Sequence, residues 1–216
     1  MIVGVRIGEI DTLSEWGLCL CSDLSIGAPE LKSKWVDVPA ADGALDFSQA
    51  LTGGPVYKNR KITFRLVQAD RSAGAFSDVL AALMAHCHGK SMNLWLPDDE
   101  EHYFTGLFEV DAVSGYNKPV IKIKVTAFPY RYKNNITLTV YTIPAAGSLL
   151  AQLNNELMPV YPAFAVESGS ASVNGHTLTA MPNTFGDIRL IAGKTGVTLT
   201  GATGAKVMIT YQEGRL

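Results

Sequence analysis

The sequence predicts a mainly β protein of two domains, on three observations. Two segments alternate strictly between apolar and polar residues, a single stretch repeats at the helical period, and the second half breaks into short β-rich runs separated by Gly, Asn and Pro. The alternating segments are KITFRLVQ (61–68) and VIKIKVTA (120–127). In the first, Ile62, Phe64 and Leu66 share one face and Thr63 and Arg65 the other. In the second, Ile121, Ile123 and Val125 oppose Lys122, Lys124 and Thr126. Period two is the mark of a strand with one dry face.

Between them MNLWL (92–96) and HYFTGLFEV (102–110) predict a long hairpin closed by PDDEE (97–101). Pro fixes φ there, and Asp bonds the local backbone. Residues 73–88 predict the one helix. Phe76, Val79, Leu80, Leu83, Met84 and Cys87 recur at i, i+3, i+4, i+7. Asp70 or Ser72 is placed to cap its start, and Gly89 to stop it. The second half reads as a β-sandwich from ITLTVYT (136–142), AFAVE (163–167), DIRLIAG (187–193), GVTLTG (196–201) and KVMITY (206–211). Turn signals between them include Asn174-Gly175 and Pro182-Asn183.

The composition shift falls near residue 133, which divides the chain into domains 1–133 and 134–216. The second holds four basic and four acidic residues, so nearly all the charge lies in the first. The whole chain has 216 residues and a net charge of −2. This excludes a strongly basic nucleic-acid binder and a polybasic membrane binder. No stretch has the length of a membrane span, and the N-terminus lacks the order of a signal peptide. Cytoplasmic synthesis is therefore expected. Three cysteines, Cys19, Cys21 and Cys87, are too few for a disulfide framework and read as packing residues.

Residue chemistry points away from catalysis. His86-Cys87-His88 suggests a metal site, but residues two apart on a helix diverge by about 200°. His102 and His176 have no ligand-spaced partner. No G-x-S-x-G elbow surrounds Ser48, Ser114 or Ser168, and neither LTGGPVY (51–57) nor AGKTGVT (192–198) has phosphate-loop spacing. No enzyme activity, cofactor or metal is expected. Asp98, Asp99, Glu100 and Glu101 form an acidic hairpin tip without the spacing of a calcium loop. Lys118, Lys122, Lys124, Arg131 and Lys133 gather with Tyr116, Tyr130 and Tyr132 near the domain junction, and read as a solvated or protein-contacting face.

The stretch DGALDFSQALTGGPVYKNRKITFRL (42–66) resembles the N-terminal region of the distal tail protein (Dit) family of long-tailed, non-contractile bacteriophages. The resemblance rests on Asp42-Gly43, Asp46, Leu51-Thr52-Gly53, Tyr57, Asn59-Arg60, Ile62 and Phe64. The helix ending at Gly89, the return Tyr103-Phe104-Thr105-Gly106 and the strand leading to Pro129-Tyr130 follow in the family's order, and KVMITYQEGRL is similar to its closing strand.

The resemblance implies an N-terminal tail-tube-like β-sandwich or split barrel that builds a hexameric ring, and a small C-terminal galectin-like sandwich. It implies a structural protein of the virion's tail tip. Such a ring joins the tail-tube protein to the tail-tip protein, and its channel passes DNA only in transit. Its partners are other copies of itself and those two proteins, with receptor-binding proteins as further candidates. A ring subunit needs two different complementary surfaces. The acidic 98–101 tip and the Lys122/Lys124 face are opposite in sign and are expected to meet between neighbours. Two alternatives remain open: a tail-tube subunit, and a carbohydrate-binding β-sandwich using Tyr141, Tyr161, Phe164, Phe185 or Tyr211. A hydrolase has the least support.

Overall fold

The computed structural model describes residues 2–50, 52–69, 74–114 and 119–216, with 112–114 as backbone only. The chain falls into two compact units, Met1–Pro129 and Tyr130–Leu216. Among the described residues no helix is long and apolar enough to cross a membrane.

The first unit begins with β1 (Arg6–Ile7), β2 (Ile10–Asp11), helix α1 (Thr12–Trp16), β3 (Leu18–Leu20) and β4 (Ser25–Ile26). Helix α1 is a single turn that sequence reading passed over. The Asp11 carboxylate accepts from the amides of Leu13 and Ser14 at 3.0 and 2.9 Å, and Gly17 ends the turn at φ 62°. The buried Thr12 hydroxyl stitches the turn in place, accepting from the Val5 amide and donating to the Leu18 carbonyl.

Then come β5 (Trp35–Asp37), β6 (Ala44–Asp46), β7 (Arg60–Gln68), α2 (Phe76–Cys87), β8 (Ser91–Leu96), β9 (Asp99–Ser114) and β10 (Val120–Ala127). The main sheet is antiparallel in the order β2-β1-β8-β9-β10-β7-β3, and β4 also pairs with β7. The predicted strands 61–68 and 120–127 are neighbours in register, Ile123 opposite Phe64 and Val125 opposite Ile62. Their apolar faces are fully buried, as are Phe104 and Phe108 of β9.

Helix α2 lays Val79, Leu83 and Cys87 into this core, with Phe76 and Leu80 at its margin. It starts later than the pattern predicts, and Met84 is exposed rather than buried. Asp70 and Ser72 lie outside the described residues. Ala75 is the N-cap residue and makes no side-chain cap bond, while Gly89 takes a left-handed φ of 73° just past the end. His86 and His88 diverge to different elements: His86 reaches the Ile7 carbonyl at 2.9 Å, and His88 accepts from the Val110 amide at 3.0 Å. Burial pushes the Cys87 thiol up to about 11.

The hairpin of β8 and β9 is tighter than predicted. Leu96 pairs with Asp99, so Pro97-Asp98 is a two-residue loop and the acidic run enters the strand. Gly106 is required within β9, because a Cβ there would lie 2.6 Å from the Thr126 carbonyl oxygen.

The second unit holds β11 (Arg131–Lys133), β12 (Thr137–Thr142), β13 (Ser148–Asn155), β14 (Ala163–Ser168), β15 (Ala171–Val173), β16 (His176–Thr177), β17 (Asn183–Thr184), β18 (Gly193–Gly201), β19 (Lys206–Tyr211) and β20 (Gly214–Arg215). Two sheets, β12-β19-β14-β17 and β13-β18-β15-β16, share one core. Phe164, Val207 and Ile209 come from the first; Leu153, Val173, Val197 and Leu199 come from the second. Asn174-Gly175 makes the tight turn between β15 and β16 with φ of 46° and 89°, as this dipeptide predicts. Residues 187–193 are not a strand of their own. They carry only a bridge from Leu190 to Val160 before β18 opens at Gly193. Strand β11 pairs with β20, where buried Glu213 bonds Lys133 at 3.1 Å and Thr137.

Candidate functional site

Three surfaces of the first unit are candidates for contact. One is the solvent face of β7, β9 and β10. Their dry faces carry the core, so alternation puts Lys61, Arg65, Lys122, Lys124 and Glu109 on the other side. A β-bulge interrupts the β9–β10 ladder between Lys122 and Ile123, where Ala112 opposes Lys122 and Val110 opposes Ile123. Asp111 is the extra residue, and the bulge turns its carboxylate between both lysines. It sits 3.1 Å from Lys122 Nζ and 2.7 Å from Lys124 Nζ. Hydrogen bonds from Lys124 first, then Lys122, hold its carboxyl below the usual carboxylate range. Arg65, which faces Lys122 across β7–β10, is paired with Asp23. The sequence-predicted basic pair is thus one part of a charge ladder whose cations carry acids of their own chain. Lys118 and Tyr116, grouped with it from sequence, lie outside the described residues.

The second surface is the far end of β9. The four acids expected as one tip are separated by the tight turn. Asp98 is exposed in the loop, and Glu100 and Glu101 are exposed on the strand, where consecutive side chains point to opposite faces. Asp99 turns inward, its side chain 7% exposed, and bonds the buried His102 Nδ1 at 3.1 Å. Asp99 is therefore a local structural partner, not part of a tip. From Asp99 to Asp111 the strand runs about 40 Å at roughly 3.3 Å per residue. The acidic end of β9 and the lysines of β10, which lie opposite Glu109 and Ala112, are well separated along the sheet, and the chain does not bring them together.

The third surface was not legible as a surface. Residues 27–59 leave the sheet after β4 and return at β7 as an arm built on the β5–β6 hairpin, with Trp35 opposite Asp46 and Val36 opposite Leu45. Its base is tied by a Leu31–Tyr57 bridge and by amide bonds from Lys32 to Val56 and from Lys58 to Glu30. Among the described residues, none of the arm joins the hydrophobic core. Trp35, Leu31, Leu45 and Phe47 are 59%, 57%, 54% and 48% exposed. Single exposed apolar residues are ordinary, but several along one arm, with Trp35 and Leu45 on opposite faces of its hairpin, make the arm a candidate contact surface. The family stretch 42–66 straddles the arm's return and β7; Leu51 lies outside the described residues.

The aromatic residues weighed for sugar binding are largely committed internally. Phe164 and Tyr211 are buried, and the Tyr141 hydroxyl donates to the Gln152 carbonyl. Phe185 has His176 stacked on it at 4.4 Å and Phe164 at 6.1 Å. Tyr161 alone of the five is strongly exposed. Among the described residues no group of three or more His, Cys, Asp or Glu is placed to hold a metal ion.

No family model matches the chain, and no curated protein matches it in sequence. A solved structure does match in fold. The crystal structure of the SPP1 Dit protein (gp 19.1) superposes over 100% of both chains with a TM-score of 0.67, at 10% sequence identity. The chain has the fold of a Dit protein. That structure is described as a paradigm of the hub adsorption apparatus in phages that infect Gram-positive bacteria. The match spans both units.

Proposed function

We propose that this chain is a structural subunit of a phage tail, a hub of the adsorption apparatus, and that it acts by assembly rather than catalysis. The observation that carries this is the full-length match to SPP1 Dit, a hub protein. At 10% identity the common element is the architecture, so the role is argued from surfaces.

In this reading the first unit closes a hexameric ring head to tail, between the tail-tube protein and the tail-tip protein. The second unit is free for attachment, receptor-binding proteins included, and DNA passes through the channel only in transit. A head-to-tail contact needs two unlike surfaces on each subunit. The arm supplies one, since its apolar side chains have no core of their own and gain one on a neighbour. The separated charges of the sheet fit the same geometry, with Glu100 and Glu101 at one end of β9 and Lys122 and Lys124 of β10 about 25–40 Å away along the strand direction. Asp111 already compensates the lysines, so an ionic contact there adds register more than affinity.

Light scattering on a sizing column with negative-stain imaging tests the proposal. A hexameric ring with a central hole is the expected result. Long tubes would identify a tail-tube subunit instead. A monomer that stays monomeric when mixed with its tail-tube protein would overturn the ring.

A further inference from the structure

Among the described residues, the second unit carries an open strand edge apart from the first-unit surfaces described above. Strands β12 and β13 lie at corresponding ends of the two sheets. The edge of β13 is guarded: the Tyr141 hydroxyl donates to the Gln152 carbonyl, and the Tyr211 hydroxyl to the Asn154 carbonyl. The edge of β12 has no such cover. The Ile143 amide bonds the carbonyl of Ala205, the residue just before β19, so by antiparallel alternation Thr137, Thr139 and Tyr141 bond β19 itself. Leu138, Val140 and Thr142 then present their N–H and C=O groups outward. The same alternation turns the side chains of Ile136, Leu138 and Val140 to the outer face, where they are 62%, 58% and 44% exposed. The strand TLTVYT has no charge, no Pro and no bulge, the devices that normally blunt an edge.

We propose that β12 pairs antiparallel with β12 of a second copy of this chain, about a two-fold axis at Thr139, joining two four-stranded sheets into one of eight. The strand's own register selects a second copy. A two-fold at Thr139 sets Leu138 opposite Val140 and Ile136 opposite Thr142, so outer side chains meet outer side chains. The outward amides of Leu138 and Val140 then meet the outward carbonyls of the partner strand, and Thr139 faces its own copy in a non-hydrogen-bonded pair. A one-residue shift would set Leu138 against Tyr141, whose ring turns inward, and lose both matches. No charge lies on the seam, so a second copy meets no repulsion. The contact is isologous, unlike the head-to-tail ring contact, and is independent of it. Two six-residue strands bury less than about 1,200 Å², so one pair is weak and association rises with concentration.

Sedimentation velocity on the full chain, from about 1 to about 500 μM, spans the weak range expected of so small a contact. The expected result is reversible association with rising concentration, a doubling where the subunit is monomeric, that is lost in the Leu138→Lys/Val140→Lys variant while the melting temperature holds. Trp35→Ala in the arm separates the two contacts, because it breaks the ring and leaves the doubling. Thr139→Cys, in a Cys19→Ser/Cys21→Ser background, should form a disulfide dimer about tenfold faster than Gln152→Cys on the guarded edge, since facing Cα atoms near 4.5 Å suit the bond. Doubling that survives the two lysines, or no doubling with no Thr139 cross-link, overturns the proposal. In the second case β12 is left to a strand of a different protein.

Discussion

The core sheet and the arm of the first unit are adjacent in sequence and opposite in physics. Along β7 every second residue from Ile62 to Leu66 is fully buried, and β9 and β10 repeat the pattern. From 27 to 59 the described residues form turns and a hairpin, and none of them belongs to the core. The sheet is stabilised by surface it buries itself. The arm leaves its apolar surface to something else. A single domain can thus divide its apolar residues between those buried in a core and those left exposed, and the division is legible only once burial is known.

This contrast can be broken or sharpened by substitution. The largest effect belongs to the core: Phe64→Ala, at a fully buried site, is expected to cost about 3–5 kcal/mol in denaturant unfolding. Gly106→Val comes next, because its side chain meets the Thr126 carbonyl and the Ala127 backbone; a loss of about 1–3 kcal/mol is expected. Asp11→Ala removes the cap of α1 and should cost about 1 kcal/mol. Trp35→Ala and Phe47→Ala in the arm should change monomer stability by no more than about 0.5 kcal/mol yet abolish ring assembly in light scattering. Equal losses of stability for Trp35→Ala and Phe64→Ala would erase the distinction.

The smallest effect lies on the charged face. Asp111 has a depressed pKa, so its contribution is present above the ordinary carboxylate value and is lost as pH falls through the depressed one. Asp111→Asn should therefore flatten the acid limb of a thermal-stability profile only slightly and leave neutral pH nearly unchanged, because exposed pairs contribute little. Thiol titration gives an independent check on the core. Cys19 and Cys21 are partly exposed and should react at pH 8, while Cys87, held protonated by burial, should react only on unfolding.

Legibility followed the range of the interaction. Strands β7 and β10 and helix α2 could be read because side-chain period is local and one face is dry. Strand β13 escaped because SLLAQLNN carries only Leu149, Leu150, Ala151 and Leu153 in an uneven order. Residues 187–193 looked like a strand from composition, but among 187–192 only Leu190 makes a β-bridge, to Val160. The acidic run looked like one feature because it is contiguous. The two-residue turn at Pro97-Asp98 gave it to the strand and turned Asp99 to His102.

Taken alone, the order of residues determined the β class, the long hairpin, the single amphipathic helix and the likeness to distal tail proteins, since each depends on neighbours a few positions apart. Only the tertiary structure decided that Asp111 sits between two lysines, that the arm is bare of core contacts, and that two tyrosines guard β13 while β12 stays open. The physical reason is register. One bulge, or one strand placed at an edge, changes which groups meet across dozens of residues, and no local pattern records it.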